Sequence, residues 1–330
     1  MSSAAVTNTT PVKPERGVPR LGGEPTRFER WTAPWRALPN LLVIGAQKSG
    51  TTSLHDFLAR QPEIRMSRIK ECHVLWKSGW NMREYRAFFP LRARCFAEGV
   101  RHIGESTPYY LFHPEAATSA KRLADAVAAE GRALRAIAVL RDPVARAWSQ
   151  FQHAQRQGAE QLTFLEALSA EESRLRASAF SHQHHSYQAR GLYAEQLERW
   201  FRVLGRERVL VLEFRELLAM DNATRERIRQ FLGLEIPVAG AFPSVNRGGS
   251  ERIPAEARAR LRRFFEAPNR RLEQLLGMRF SWMSGDAAHA VADVAADDVS
   301  NAAVKRAANA SSASMVAGSD VANESLPSED

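Results

Sequence analysis

The chain has 330 residues, 44% hydrophobic and 25% charged, with a formal net charge of +9, the balance of an ordinary globular protein. Cys72 and Cys95 are its only cysteines, too few for a disulfide framework and without metal-ligand spacing. No apolar run reaches the ~20 residues of a membrane span, and no basic segment leads into an apolar stretch at the N-terminus, so the expected location is cytoplasmic.

Both ends differ from the middle. Residues 1–39 carry Pro11, Pro14, Pro19, Pro25, Pro34 and Pro39 without any apolar period. From Gly285 onward the chain is Ala, Ser, Asn and Asp with almost no large side chains, too little apolar surface to offset ordering entropy. Both ends are expected to be disordered, leaving one folded domain over 40–284. The segment 285–330 holds eight acids against Lys305 and Arg306, a net of −6, so the rest of the chain carries +15. Such a body suits an anionic ligand (nucleotide, nucleic acid, acidic glycan or membrane surface), or it is simply an Arg-rich solvated surface.

In chain order, Leu41–Ile44 predicts a buried strand and Thr51–Arg60 a helix that stops before Pro62. Ala136–Leu140 (AIAVL) predicts a second buried strand, and Arg141–Gln157 a turn feeding a helix. Val209–Phe214 (VLVLEF) predicts a third, followed by a helix around Ala223–Leu232. Gln188–Leu204 and Ala255–Leu276 have helical spacing. Strands alternating with helices predict an α/β fold, a central parallel sheet between two helical layers.

The first strand runs into GAQKSGTTSL (Gly45–Leu54). A strand ending in glycines and opening a helix aims backbone N–H groups at an anion. Lys48 adds a charge, and Ser49, Thr51 and Thr52 add hydroxyls around Gly50. In an NTPase loop the lysine follows the second glycine; here it precedes it. The second strand runs into LRDPVARAWS (Leu140–Ser149). Arg141 stands at a strand's carboxyl end, where open α/β sheets bind ligands. Pro143 suits a first helical turn, and Ser149 lies two turns on, so an arginine fork and a hydroxyl can clamp one phosphate.

Together these motifs resemble the sulfotransferase family, whose donor is 3′-phosphoadenosine 5′-phosphosulfate (PAPS). GAQKSGTTSL resembles the family's 5′-phosphosulfate loop, with the lysine inside the loop, and LRDPVARAWS its 3′-phosphate motif. The likeness continues through IKECHVL (Ile69–Leu75), GESTPYYLFHPEA (Gly104–Ala116), RGLYAEQLERW (Arg190–Trp200) and Asn246–Trp282. It is nearest the branch of heparan sulfate sulfotransferases and their bacterial relatives. The resemblance implies a P-loop-like three-layer domain and sulfuryl transfer to a hydroxyl or amine, on a carbohydrate by preference.

It implies PAPS held by Lys48, Ser49, Gly50, Thr51, Thr52, Arg141 and Ser149, with Arg247 of NRGGSER closing over the nucleotide and no metal required. Glu71 falls on the branch's base position, with Lys48 on the leaving group and His73 as the second candidate base. Ser106 stands where several glycosaminoglycan-modifying members carry lysine, which argues against a highly anionic acceptor. His182, His184 and His185 of SHQHH are expected in a loop near the acceptor rather than around a metal. The other readings are a P-loop nucleotide kinase or NTPase, against which the early lysine speaks, and a nucleic-acid-binding protein, against which the scattered basic residues speak.

Overall fold

The computed structural model describes residues 20–21, 23–235, 237–240, 242 and 252–283. Five strands form one parallel sheet: β1 (Leu41–Gly45), β2 (Ile64–Met66), β3 (His102–Ser106), β4 (Arg135–Leu140) and β5 (Val209–Glu213). Their order across the sheet is β2-β3-β1-β4-β5. Leu41 stands opposite Gly104 on one side and Arg135 on the other, and Ala136 opposite Val209.

Strand periodicity divides the core. Leu42 and Ile44 of β1, and Ala136, Ala138 and Leu140 of β4, join one buried cluster. Leu41, Val43, Ile137 and Val139 join another on the opposite face. Successive side chains of a strand point to opposite faces, so a central strand covered on both sides is apolar throughout. The second face is covered by α1 (Thr51–Ala59), through Leu54, Phe57 and Leu58. The first is covered by α2 (Pro114–Ala128), which contributes Ala116, Ala120, Leu123 and Val127.

Two further helices build a third cluster beside the sheet. α3 (Pro143–Arg156) and α4 (Phe164–Ala177) supply Val144, Trp148, Phe151, Phe164 and Leu168. α5 (Tyr193–Leu204) packs Leu197, Trp200 and Leu204 on the first face, and α6 (Asn222–Leu232) packs Ile228 and Leu232 on the second. The last, α7 (Ala255–Leu276), spans the third cluster with Leu261 and Phe265 and reaches the first with Leu272. Among the described residues no helix is long and apolar enough to cross a membrane.

The three expected strands and their following helices are present. Three features depart from expectation. The first is residues 23–39, expected to be disordered. They instead form a helix over Arg27–Trp31, held by a capping box between Thr26 and Glu29, then a turn over Ala33–Trp35. Leu38 is fully buried, and the buried Arg36 donates to the Phe89 carbonyl at 2.6 Å. Prolines punctuate this segment without preventing it from packing. Residues 1–19 and 284–330 lie outside the described residues.

The second departure is β3, which reads HIGES and shows no apolar run, yet is buried along its length. Its polar atoms are paired inside: His102 Nε2 meets the Leu232 carbonyl at 2.6 Å, and Ser106 Oγ meets His55 Nδ1 at 3.0 Å. The third is the expected helix over Gln188–Leu204. It splits into a 3₁₀ turn at Ala189–Gly191 and α5, which begins at Tyr193.

Candidate active site

Between β1 and β4 the chain's connections leave to opposite sides of the sheet. That reversal opens a crevice at the strands' carboxyl ends, the usual ligand position of an open α/β sheet. Three strand ends converge there. The loop after β1 opens with Ala46 N–H donating to the Val139 carbonyl of β4 at 2.8 Å. The segment after β3 is tied to β1 by Thr107 N–H donating to the Val43 carbonyl at 3.2 Å. Beyond β4 comes Arg141.

The loop Gly45–Gly50 turns tightly into α1. Lys48 and Gly50 both have left-handed backbones, at φ 68° and 79°. A Cβ on Gly50 would sit 2.8 Å from the Phe214 ring, so this position needs glycine on two counts. No side chain caps α1 at Gly50, which leaves the helix N-terminus for an anion. Ser49 is fully buried, and its Oγ has no hydrogen-bond partner among the described residues. A buried hydroxyl without a partner is costly, and a bound oxyanion would supply one. Thr51 is buried and Thr52 half-buried at the same helix start.

Arg141 is buried, donates to the Lys48 carbonyl at 3.2 Å and lies over the Phe214 ring at 5.1 Å. The helix that follows is fixed by Asp142, whose side chain accepts from Val144 N–H at 3.0 Å, with Pro143 in the first turn. Ser149 is on that helix and buried. Tyr193 at the start of α5 donates its hydroxyl to the Arg141 carbonyl at 2.9 Å, so the RGLY segment braces the arginine turn.

The third group is Glu71, with its own left-handed backbone at φ 63°. Its N–H donates to the Ser106 carbonyl at 3.0 Å, which hangs this segment on the end of β3. Lys70 Nζ lies 2.6 Å from Glu71 Oε1, and His73 Nε2 lies 3.3 Å from Oε2. Burial pushes the Glu71 carboxyl up, but the His73 hydrogen bond and the Lys70 ammonium outweigh it and hold it at about 2. On His73, Nδ1 accepts from the Trp76 indole N–H at 3.1 Å.

Beneath that segment lies Glu105, fully buried. Tyr110 donates to it at 2.9 Å, Thr107 at 2.7 Å, and Tyr85 also donates. The Tyr110 oxygen in turn accepts the N–H groups of Val74 at 3.0 Å and Leu75 at 3.3 Å. The stretch bearing Glu71 and His73 is thus pinned at both ends.

Glu71 and His73 border a cleft of about 160 Å³ lined also by Gln47, Tyr109, His153 and Arg190, among others. Burial, with the charge of Lys48, lowers His153 to about 4. Burial, with the charge of Arg190, lowers His184. Both imidazoles are held toward the neutral form, and Glu71 and Arg190 supply the opposed charges of the cleft wall.

The Gly45–Gly50 loop and the buried Arg141 meet at the carboxyl ends of β1 and β4, and Gln47 of that loop lines the cleft together with Glu71 and Arg190. The sequence pattern of the sulfotransferase domain matches residues 38–246. The chain belongs to the sulfotransferase family. It is 30% identical to a crystallised sulfotransferase from Alicyclobacillus acidocaldarius, with a TM-score of 0.57, over 74% of this chain and 98% of that one. Human heparan sulfate glucosamine 3-O-sulfotransferase 6 is 27% identical over 285 residues, 75% of this chain and 74% of the relative. The human bifunctional heparan sulfate N-deacetylase/N-sulfotransferase 2 is 27% identical over 211 residues, 60% of this chain. This sulfotransferase spans only 22% of the length of that bifunctional relative.

Of the sequence-derived site residues, Lys48, Ser49, Gly50, Thr51, Thr52, Arg141 and Ser149 lie at the ends of β1 and β4 or on the helices that follow, while Glu71 and His73 lie on the segment after β2, tied to the end of β3 by the Glu71 N–H. Arg247 lies outside the described residues. His182 and His184 of the histidine cluster lie on a short helix, Ala179–His184, rather than a loop, with His185 just past its end. His182 bonds the Tyr109 hydroxyl at 2.7 Å and stacks on Phe112, while His184 lines the cleft. Among the described residues no group of three or more His, Cys, Asp or Glu is placed to hold a metal. Gln47 and Arg190 escaped notice as site residues. Both lie inside quoted motifs, but nothing in their local sequence says which way they face.

Proposed function

We propose that this sulfotransferase moves the sulfuryl group of PAPS to a hydroxyl, or an amine, of a carbohydrate acceptor, with Glu71 taking the acceptor proton. The observation that carries the reading is the convergence of the Gly45–Gly50 loop, Arg141 and Glu71 on one crevice. The loop amides, Lys48 and the Ser49 hydroxyl, which has no partner among the described residues, fit a 5′-phosphosulfate. Arg141 and Ser149 fit the 3′-phosphate. As the sulfur–oxygen bond to the 5′-phosphate breaks, negative charge grows on the bridging oxygen, and Lys48 and the loop N–H groups stabilise it. The acceptor oxygen becomes strongly acidic as it bonds sulfur, so a weakly basic carboxylate suffices to accept its proton.

Glu71 is preferred over His73 on hydrogen-bond grounds. In the neutral imidazole one nitrogen is a donor and the other an acceptor. Trp76 occupies the acceptor, Nδ1, so His73 has no lone pair left for a second proton. Its remaining hydrogen points at Glu71 and orients that carboxylate.

A carbohydrate acceptor is supported by the relatives that act on heparan sulfate glucosamine and by the aromatic cluster around Tyr109, which lines the cleft. Trp76 packs on Tyr109 at 5.3 Å, and Tyr109 on Phe112 at 6.2 Å. Such rings have amphipathic surfaces on which a sugar can lie. Ser106 offers no charge to an anionic glycan, being buried against His55. The test is incubation with radiolabelled PAPS and a panel of glycans, lipids, phenols and peptides, with and without excess EDTA. Label transfer to a glycan, unaffected by EDTA, is the expected result. Transfer only to phenols or peptides would overturn the acceptor class, and no transfer from PAPS to any member would overturn the reading.

A further inference from the structure

Arg190 is a buried cation that the chemistry above leaves without a task. It is 3% exposed, and no carboxylate lies within ion-pair distance of it among the described residues. Its partners are neutral: Ser186 Oγ at 2.6 Å, the carbonyls of His182 and Gln183, and the side-chain oxygen of Gln47. It also sits over the rings of Tyr109 at 4.8 Å and Phe112 at 5.1 Å. Burial lowers it to about 9, which still leaves it charged at neutral pH. A buried charge whose hydrogen-bond partners are all neutral is expensive, so an anion brought to this wall would be favoured.

Its position says which anion. Arg190 lines the same cleft as Glu71 and His73. Its partner Gln47 belongs to the loop after β1, immediately before Lys48. It is also rigidly mounted. A Cβ on the next residue, Gly191, would lie 2.5 Å from the Phe265 ring and 2.9 Å from Pro143 Cβ, so the backbone here is pressed onto the helix that follows Arg141. Two residues further on, Tyr193 bonds the Arg141 carbonyl. The guanidinium is therefore fixed relative to both proposed phosphate contacts, on the side where the acceptor base stands.

We propose that Arg190 is a further catalytic residue, its guanidinium holding the non-bridging oxygens of the sulfuryl group as that group passes from donor to acceptor. The inference rests on PAPS being the donor. In the step, the acceptor oxygen forms a bond to sulfur while the bond from sulfur to the bridging oxygen breaks. That electron pair stays on the 5′-phosphate, and the acceptor proton goes to Glu71. Arg190 exchanges no proton; it balances the charge on the sulfuryl oxygens, and of its five N–H groups the one not taken by Ser186, Gln47, His182 and Gln183 remains to donate to them.

The experiment compares two ligands that differ only by the sulfuryl group, PAPS and 3′,5′-diphosphoadenosine, by calorimetry on the full chain without acceptor. Arg190→Met is expected to weaken PAPS roughly tenfold or more, the scale of one charge-assisted hydrogen bond, and to change 3′,5′-diphosphoadenosine by less than about threefold. A role confined to bracing the cleft would weaken both equally, and an unchanged PAPS affinity would leave Arg190 no contact; either result overturns the inference. Should Arg190→Met melt at too low a temperature to measure, Arg190→Lys is read instead. It keeps the charge but not the guanidinium geometry, so a selective severalfold loss for PAPS is expected, and an equal or absent loss is again fatal. A wild-type protein that binds neither ligand would defeat the donor reading itself, whereas an unselective Arg190 variant defeats only this inference.

Discussion

The Trp76 indole N–H donates to His73 Nδ1 at 3.1 Å, which places the hydrogen of a neutral His73 on Nε2, the nitrogen that faces Glu71. One tryptophan thereby sets which of two adjacent residues has a free lone pair. A proton acceptor must offer one within reach of the acceptor hydroxyl, and on this arrangement only Glu71 does.

The pH dependence of turnover follows. Glu71 is held at about 2, so it stays ionised well below neutrality. With Glu71 as base, kcat/KM should show no acidic limb between about pH 5 and 8, the range in which a histidine base would titrate. Glu71→Gln should lower kcat by roughly 10²–10⁴-fold, the scale of general-base catalysis, with unchanged affinity for 3′,5′-diphosphoadenosine. An acidic limb in that range that vanishes in His73→Ala would assign the base to histidine.

The depressed carboxyl also bears on stability. A group whose folded pKa lies below its unfolded value stabilises the fold above the unfolded value, ~4.3 for a glutamate, and loses that contribution as pH falls toward the folded one. Glu71 should therefore cease to stabilise the protein between about pH 5 and 2. In Lys70→Met the largest nearby positive charge is gone, so the carboxyl should rise and this window should narrow. Urea midpoints of the two proteins across that range would show it; identical slopes would mean that Lys70 does not hold Glu71 down.

Recognition of the 3′-phosphate is expected to depend on Arg141. Arg141→Ala should weaken 3′,5′-diphosphoadenosine by about 1.5–3 kcal/mol, the scale of a hydrogen bond to a charged group, and leave 5′-AMP nearly unaffected. Equal losses for both nucleotides in a calorimetric titration would place the arginine elsewhere on the ligand.

Tyr110→Phe tests the pinning of the Glu71 segment. It removes a hydroxyl that donates to Glu105 and accepts from the Val74 and Leu75 N–H groups. Leaving buried polar groups unpaired should cost about 1–3 kcal/mol of stability. Turnover should fall while 3′,5′-diphosphoadenosine still binds, because the proposed nucleotide contacts lie at the ends of β1 and β4. A variant with full turnover would show that the segment is held by other means.

Gly50→Ala combines a left-handed backbone with a Cβ 2.8 Å from the Phe214 ring. The backbone cost alone is about 1–2 kcal/mol, and the loop must shift to relieve the contact. Nucleotide affinity should drop more than the melting temperature does. Retained affinity would mean that the loop adapts without losing its ligand geometry.

Much of the molecule was legible before any tertiary contact was known. Central strands buried on both faces are apolar at every position, so LLVI, AIAVL and VLVLEF announced β1, β4 and β5. The glycines, Lys48 and Arg141 at the ends of two of them marked the crevice, because loop chemistry there is written in consecutive residues. Other parts were hidden for a physical reason. β3 carries His102, Glu105 and Ser106, polar residues whose partners Leu232, Tyr110 and His55 are remote or on other elements. Short-range periodicity cannot register such pairing. Residues 27–39 were likewise misread, since a proline-rich stretch reveals its anchors, Arg36 on Phe89 and Leu38 in the core, only once the rest has folded.

The sequence by itself determined the α/β fold, the order of its central strands along the chain and the glycine-rich turn from β1 into α1, because local apolar pattern and turn chemistry encode them. The tertiary structure decided which groups face one another. It set Lys70 and His73 against the two oxygens of Glu71, Trp76 against His73, and Arg190 against Gln47 across 143 positions of sequence. Charge, proton location and hydrogen-bond capacity depend on separations of a few ångströms, and those separations exist only after distant segments pack together.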